Sequence, residues 1–203
     1  MKKKILILVS FFIVLNIGRI AWLEVFRPSE QPYATNGVLD LRGWDAEAGR
    51  TITLDGEWEF YPNAFLYSAE SEQNGPKKEH SIVQVPGKWN DDLSYDPDAS
   101  TPYGYGSYRL NILLDPGDQR VYSIYVASVR ASSQLFVNGE LIQSSGQPAT
   151  GAEHYTARNV PYIASFAAEG DGAVEIVIQA ANYSDPRSGG LIRSLRFGTD
   201  ETV

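Results

Sequence analysis

Apolar side chains recur at every second position through most of this chain, the period of strands with one face buried. Thr51-Ile52-Thr53-Leu54 alternates, turns at Asp55-Gly56 and continues as Glu57-Trp58-Glu59-Phe60-Tyr61, with Trp58 and Phe60 on one face and Glu57 and Glu59 on the other. Tyr108, Leu110, Ile112 and Leu114 share a face opposite Arg109 and Asn111; Tyr122, Ile124 and Val126 repeat the pattern, as do Val174, Ile176, Ile178 and Ala180 opposite Glu175 and Gln179. Val38–Leu41, Ser81–Val85, Val160–Phe166 and Leu191–Phe197 add further strands. Leu135–Ile142 is the clearest hairpin, because Asn138-Gly139 accepts the positive φ that a type I′ turn needs at both central residues. Ala64-Phe65-Leu66 reads as one helical turn, and the polar run 71–78 as loop. Roughly eight to ten short strands separated by turn signals, with no long helix among them, predict an all-β antiparallel sandwich.

The amino terminus follows another pattern. Lys2-Lys3-Lys4 precedes an apolar run from Ile5 that is interrupted only by Ser10 and Asn16 as far as Ile17. Three lysines ahead of such a run mark an export signal and leave the lysines on the cytoplasmic side. No small-x-small cleavage motif follows, and extended to Leu23 the segment would span roughly 28 Å as a helix, close to a hydrocarbon core. Arg19 lies toward the outer end, where it can snorkel, and Trp22 and Phe26 suit an interfacial belt. An uncleaved signal anchor inserting residues 5–23 is the first reading, a cleaved signal peptide the second. Either places the folded part outside the cytoplasm. The expected organisation is 1–27 signal segment, 28–37 proline-flanked linker, 38–198 folded domain and 199–203 tail.

Charge and composition narrow the partners. The 203 residues carry a net charge of −8, and the excess of acid deepens once the basic head is removed, which argues against nucleic acid. Cysteine is absent, so neither a disulfide nor a thiolate site exists. His80 and His154 are isolated, and no nucleophile elbow or phosphate-cradling glycine loop occurs, so the chain is read as non-catalytic, with a glycosidase-type carboxylate pair left open by count. No cofactor is implied. Asp91, Asp92, Asp96 and Asp98 leave structural calcium open as an alternative, though their spacing matches no calcium loop.

Carbohydrate recognition uses aromatic faces for sugar C–H surfaces and planar polar groups for hydroxyls. Trp89, Tyr103 and Tyr105 flank the acidic loop that contains Asp91 and Asp92, and Asn182-Tyr183-Ser184-Asp185 forms another strand-end loop, with Arg187 beside it to orient a carboxylate or sulfate. Trp89, Asp91, Asp92, Tyr103, Tyr105, Tyr183, Asp185 and Arg187 are the expected ligand-binding residues. For Trp58 and Phe60, and to a lesser degree Trp89, packing in the core is the competing reading.

The order Leu54-Asp55-Gly56-Glu57-Trp58-Glu59-Phe60, Val85-Pro86-Gly87-Lys88-Trp89-Asn90, Gly106-Ser107-Tyr108-Arg109, Val137-Asn138-Gly139-Glu140-Leu141, then a hydrophobic strand ending in Asn182 resembles the galactose-binding-like jelly roll of family 2 glycoside hydrolases. Gly37-Val38-Leu39-Asp40-Leu41-Arg42-Gly43-Trp44 and Ser188-Gly189-Gly190-Leu191 are similar to the outer domain of bacterial seven-transmembrane receptors with diverse intracellular signalling modules. The resemblance implies a jelly-roll β-sandwich on the extracytoplasmic side of the cell membrane, acting as a carbohydrate or small-polar-ligand sensor for a signalling output, such as a two-component histidine kinase, outside these residues. It also implies that Ser184-Asp185 comes near bound sugar. Two alternatives are a protein–protein or homodimerisation module, and a non-catalytic accessory domain of a glycoside hydrolase.

Overall fold

The computed structural model describes residues 2–25, 31–46, 50–68, 79–93, 100–168 and 170–203. Contacts divide the chain into two units, Met1–Gln31 and Pro32–Val203.

The first unit contains one 24-residue helix, α1 (Lys2–Val25), in which side chains are described for Ile5, residues 11–20 and Trp22. Phe11, Phe12, Ile13, Val14, Leu15, Ile17 and Ile20 are exposed. Among the described residues, no helix is long and apolar enough to cross a membrane.

The second unit is almost entirely β: β1 (Val38–Asp40), β2 (Ile52–Thr53), β3 (Gly56–Pro62), β4 (Ser81–Val85), β5 (Gly104–Leu113), β6 (Val121–Val126), β7 (Ser132–Val137), β8 (Glu140–Ser145), β9 (Tyr162–Ala167), β10 (Ala173–Asn182) and β11 (Arg196–Thr199). One sheet runs β4-β3-β5-β10-β7-β8, with β1 alongside β5 in parallel; the other runs β2-β11-β6-β9. The other pairings between these strands are antiparallel. Both sheets supply one core: Trp58, Phe60, Leu110, Ile112, Ile176 and Ile178 from the first, and Tyr122, Ile124, Phe166 and Phe197 from the second. The arrangement is a β-sandwich.

The two-residue period is visible in the packing. Trp58 and Phe60 are fully buried. Glu59 lies across from Arg109 on the opposite face, and the Arg109 guanidinium bonds Glu59 at 2.5 Å and reaches Glu175 on β10 at 3.7 Å. Segment 63–68, expected to hold a helical turn, forms no helix. It lies over this outer face, with the Leu66 N–H donating to Ser107 Oγ and the Tyr67 N–H to Gln179 Oε1. Those bonds account for Ser107 and Gln179 being buried although polar.

At the predicted hairpin Asn138 and Gly139 have φ of 49° and 85°, joining β7 and β8 as a type I′ turn would. The expected strand 191–197 is ordered only from Arg196; Leu191 to Leu195 is irregular, because its backbone is engaged elsewhere, Leu191 C=O accepting from Gly87 and Leu195 C=O from Leu54.

Candidate ligand-binding site

Three connections approach one another: the segment after β4, the β6–β7 connection and the β10–β11 connection. Backbone hydrogen bonds knit them, from Gly87 N–H to Leu191 C=O at 2.8 Å and from Trp89 N–H to Gly189 C=O at 3.3 Å. Arg130 and Gly190 exchange bonds of 3.2 and 3.4 Å. Irregular backbone bonded in this way presents its side chains from a fixed frame rather than from free loops.

Two buried side chains hold that frame. Asn182, fully buried at the end of β10, donates to the carbonyls of Pro102, Asp185 and Ser188 at 2.8, 2.8 and 3.2 Å, and its Oδ1 accepts from the N–H groups of Ser184 and Asp185. Trp89, also fully buried, donates from its indole N–H to the same Pro102 carbonyl at 3.1 Å and packs its ring near Phe60. A Cβ on Gly189 would come within 2.1 Å of Trp89 Nε1, and one on Gly190 within 2.5 Å of the Tyr108 hydroxyl. The glycine pair therefore lets the β10–β11 backbone lie directly on these aromatic rings.

Over this floor opens a cavity of about 390 Å³ lined by Pro86, Gly87, Lys88, Arg130, Arg187, Ser188 and Ile192. The volume is within the range of small-molecule sites, roughly 300–1,000 Å³. Asp185 supports its basic side: Arg187 grips both carboxylate oxygens, at 3.0 and 2.8 Å, and Arg130 Nη1 is 3.4 Å from Oδ2 and 3.3 Å from Ser188 Oγ. The Arg187 side chain and backbone N–H, followed by the Arg130 charge, hold the Asp185 carboxyl down to about 2. Asp185 is thus an anionic brace at neutral pH. A larger cavity, about 600 Å³, is lined by Ala46, Arg120, Val121 and 199–202 and holds no side chain expected to bind ligand.

The expected site residues do not converge on one place. Arg187 lines the cavity, and Asp185 stands behind it, paired with Arg187 and Arg130. Tyr105 and Tyr183 belong to two aromatic pairs, Tyr105 lying 5.0 Å from Phe65 and Tyr183 meeting Tyr155 edge-on at 5.3 Å. Tyr183 donates to the Thr150 carbonyl, and burial followed by Tyr105 and Glu153 pushes its hydroxyl pKa up. Tyr103 is 44% exposed. Asp91 and Asp92 form the turn after Trp89, where burial and then the neighbouring Asp91 raise the Asp92 pKa.

Trp89 is corrected. Its ring is wholly enclosed, so it offers no face to a ligand and acts from beneath the site. Asp96 and Asp98 lie outside the described residues; among those described, no three acidic or histidine side chains converge to hold a metal. Sequence reading missed Lys88, Arg130 and Ser188. Lys88 was legible inside the Pro-Gly-Lys-Trp turn, whereas nothing in Val129-Arg130-Ala131 distinguishes Arg130 from a solvated surface cation.

Comparison with solved structures gives the fold a class. The chain is similar to a β-glucuronidase from an uncultured Clostridium species, at 16% identity over 74% of this chain and 29% of that one, with a TM-score of 0.52. It resembles the Faecalibacterium prausnitzii β-glucuronidase at 18% identity over 74% of this chain and 31% of the other, TM-score 0.52. It also resembles the Ruminococcus gnavus enzyme in complex with uronic isofagomine at 16% over 73% and 28%, TM-score 0.54. The chain thus spans under a third of these glycosidases, and the likeness is one of fold, that of a β-sandwich domain within them. No protein-family model matches the sequence, and no curated protein matches it either.

Proposed function

We propose that this chain is a non-catalytic, extracytoplasmic binding domain that recognises a carbohydrate or related small polar ligand. In this reading it is tethered to the membrane through residues 5–23 and serves as the sensor of a signalling receptor. The observation that carries the binding assignment is the cavity between the Pro86–Lys88 turn, Arg130 and the Arg187–Ser188 segment, built on a frame of buried Asn182 and Trp89. The sandwich similarity to β-glucuronidases supports a carbohydrate-type ligand. Tethering is supported by the basic, then apolar, amino-terminal sequence and by its helical conformation. Ligand occupancy would bias attached membrane helices through its differential affinity for their two states.

Titration calorimetry of the full chain in mild detergent, with neutral and acidic monosaccharides, tests the binding assignment. Saturable binding of a sugar is expected. Absence of any sugar binding, with cross-linking that traps a defined dimer, would replace it with the homodimerisation reading.

A second reading, an accessory domain of a glycoside hydrolase, is favoured by the β-glucuronidase fold likeness. Sequencing the gene beyond Val203 separates the two. Hydrophobic spans support the receptor, and a barrel-type catalytic sequence supports the hydrolase.

A further inference from the structure

We infer that the cavity selects an acidic sugar, a pyranose-sized ring bearing a carboxylate, over its neutral counterpart. This rests on the binding assignment above and adds the ligand's charge class to it.

The chain is acidic overall, with a net charge of −8, yet Lys88, Arg130 and Arg187 all line this cavity, and the Asp185 carboxylate pairs with the two arginines alone. Three cations against one anion leave the pocket positive within a negative surface, and such a contrast draws in and retains anions. Asp185 neutralises only part of this charge. Arg130 meets Asp185 and Ser188 through Nη1 alone, and Nε and Nη2 have no partner among the described residues. Arg187 engages Asp185 through Nε and Nη2, leaving Nη1. Lys88 makes no ion pair among the described residues. Unused planar guanidinium edges and an ammonium suit a carboxylate, which Arg binds through paired N–H groups.

The rest of the lining bears on the ring. Pro86 and Ile192 supply apolar surface for sugar C–H groups, and the buried Ser188 hydroxyl, held by Arg130, supplies a polar contact. The two arginines are already oriented by Asp185, so little side-chain freedom remains to be lost on binding.

The test uses the full chain in mild detergent, titrated with glucuronate, galacturonate, glucose, galactose and inorganic sulfate. Glucuronate or galacturonate is expected to bind at least about tenfold more tightly than its neutral counterpart, and the difference should shrink as salt rises. Lys88→Ala, at an exposed position, should erase most of that preference with the melting temperature unchanged. Arg187→Gln is the second variant, checked in the same way. Equal binding of neutral and acidic sugars, unaffected by either variant, would overturn the charge selectivity and leave carbohydrate binding standing. Sulfate competing as well as a uronate would reduce the site to a simple anion hole and overturn the role of the ring. No binding by any sugar would remove both readings.

Discussion

Trp89 lies against the backbone of Gly189 so closely that a Cβ there would stand 2.1 Å from the indole nitrogen and 2.2 Å from Cε2. The Pro-Gly-Lys-Trp turn and the Ser-Gly-Gly segment, a hundred residues apart in sequence, are one packed unit. Lys88 precedes the tryptophan and Ser188 precedes the glycine, so the same contact brings both polar side chains to the cavity.

Gly189→Ala should therefore be costly despite adding one methyl, because both the indole and the backbone must move. Overpacking of this kind costs about 1–3 kcal/mol, and truncating the buried indole in Trp89→Ala about 3–5 kcal/mol. Urea unfolding checks both, and the Gly189→Ala variant should also lose ligand affinity if it folds.

Asn182→Ala removes the donor that three carbonyls share and the acceptor used by two backbone N–H groups. Leaving buried backbone groups unpaired costs about 1–3 kcal/mol, so the variant should melt at a clearly lower temperature. Asn182→Asp restores the acceptor but not the donor, and is expected to remain destabilised at neutral pH. Thermal unfolding followed by tryptophan fluorescence distinguishes them.

On the outer face of the first sheet, Arg109 lies between Glu59 and Glu175 and over the Tyr61 ring. Arg109→Met would leave two partly buried carboxylates facing each other, with Tyr61 and Tyr67 as remaining donors. The site is only partly buried, so a loss of about 1–3 kcal/mol is expected. Removing Glu175 as well, in Arg109→Met/Glu175→Gln, should recover part of it, and a double-mutant cycle measures how much.

Stability should be flat from neutral pH down to about 5 as far as Asp118 and Asp185 are concerned. Both carboxyls are lowered to about 2, Asp118 first by its side-chain bond to Arg120 and Asp185 first by that to Arg187. A folded pKa below the unfolded value of about 3.9 gives stability that is complete above the unfolded value and is lost as pH falls through the folded one. The loss should set in below about pH 4 and continue toward pH 2. Asp118→Asn is expected to lower stability at pH 7 and to flatten that acid limb in melts recorded across pH.

Much of the sandwich was legible because alternation is a local signal. Trp58, Phe60, Leu110, Ile112 and Ile176 declare a buried face whatever strand lies beside them, and Asn138-Gly139 specifies its turn through backbone sterics alone. Segments 63–68 and 191–195 depart from the helical turn and strand that their sequences predict for the complementary reason. Their backbones are shaped by partners distant in the chain, Ser107 and Gln179 for the first and Gly87 and Leu54 for the second.

The sequence by itself determined the two-residue period, the hairpin turn, the absence of thiol chemistry and the acidic balance of the body. Only the tertiary structure decided that Trp89 is a floor rather than a ligand platform, and that Lys88, Arg130 and Arg187 share one cavity. The reason is physical. Strand period and turn sterics act between neighbours in the chain, whereas a pocket arises where three connections from different strands are closed onto one another by packing and backbone hydrogen bonds, and no spacing in the sequence encodes that meeting.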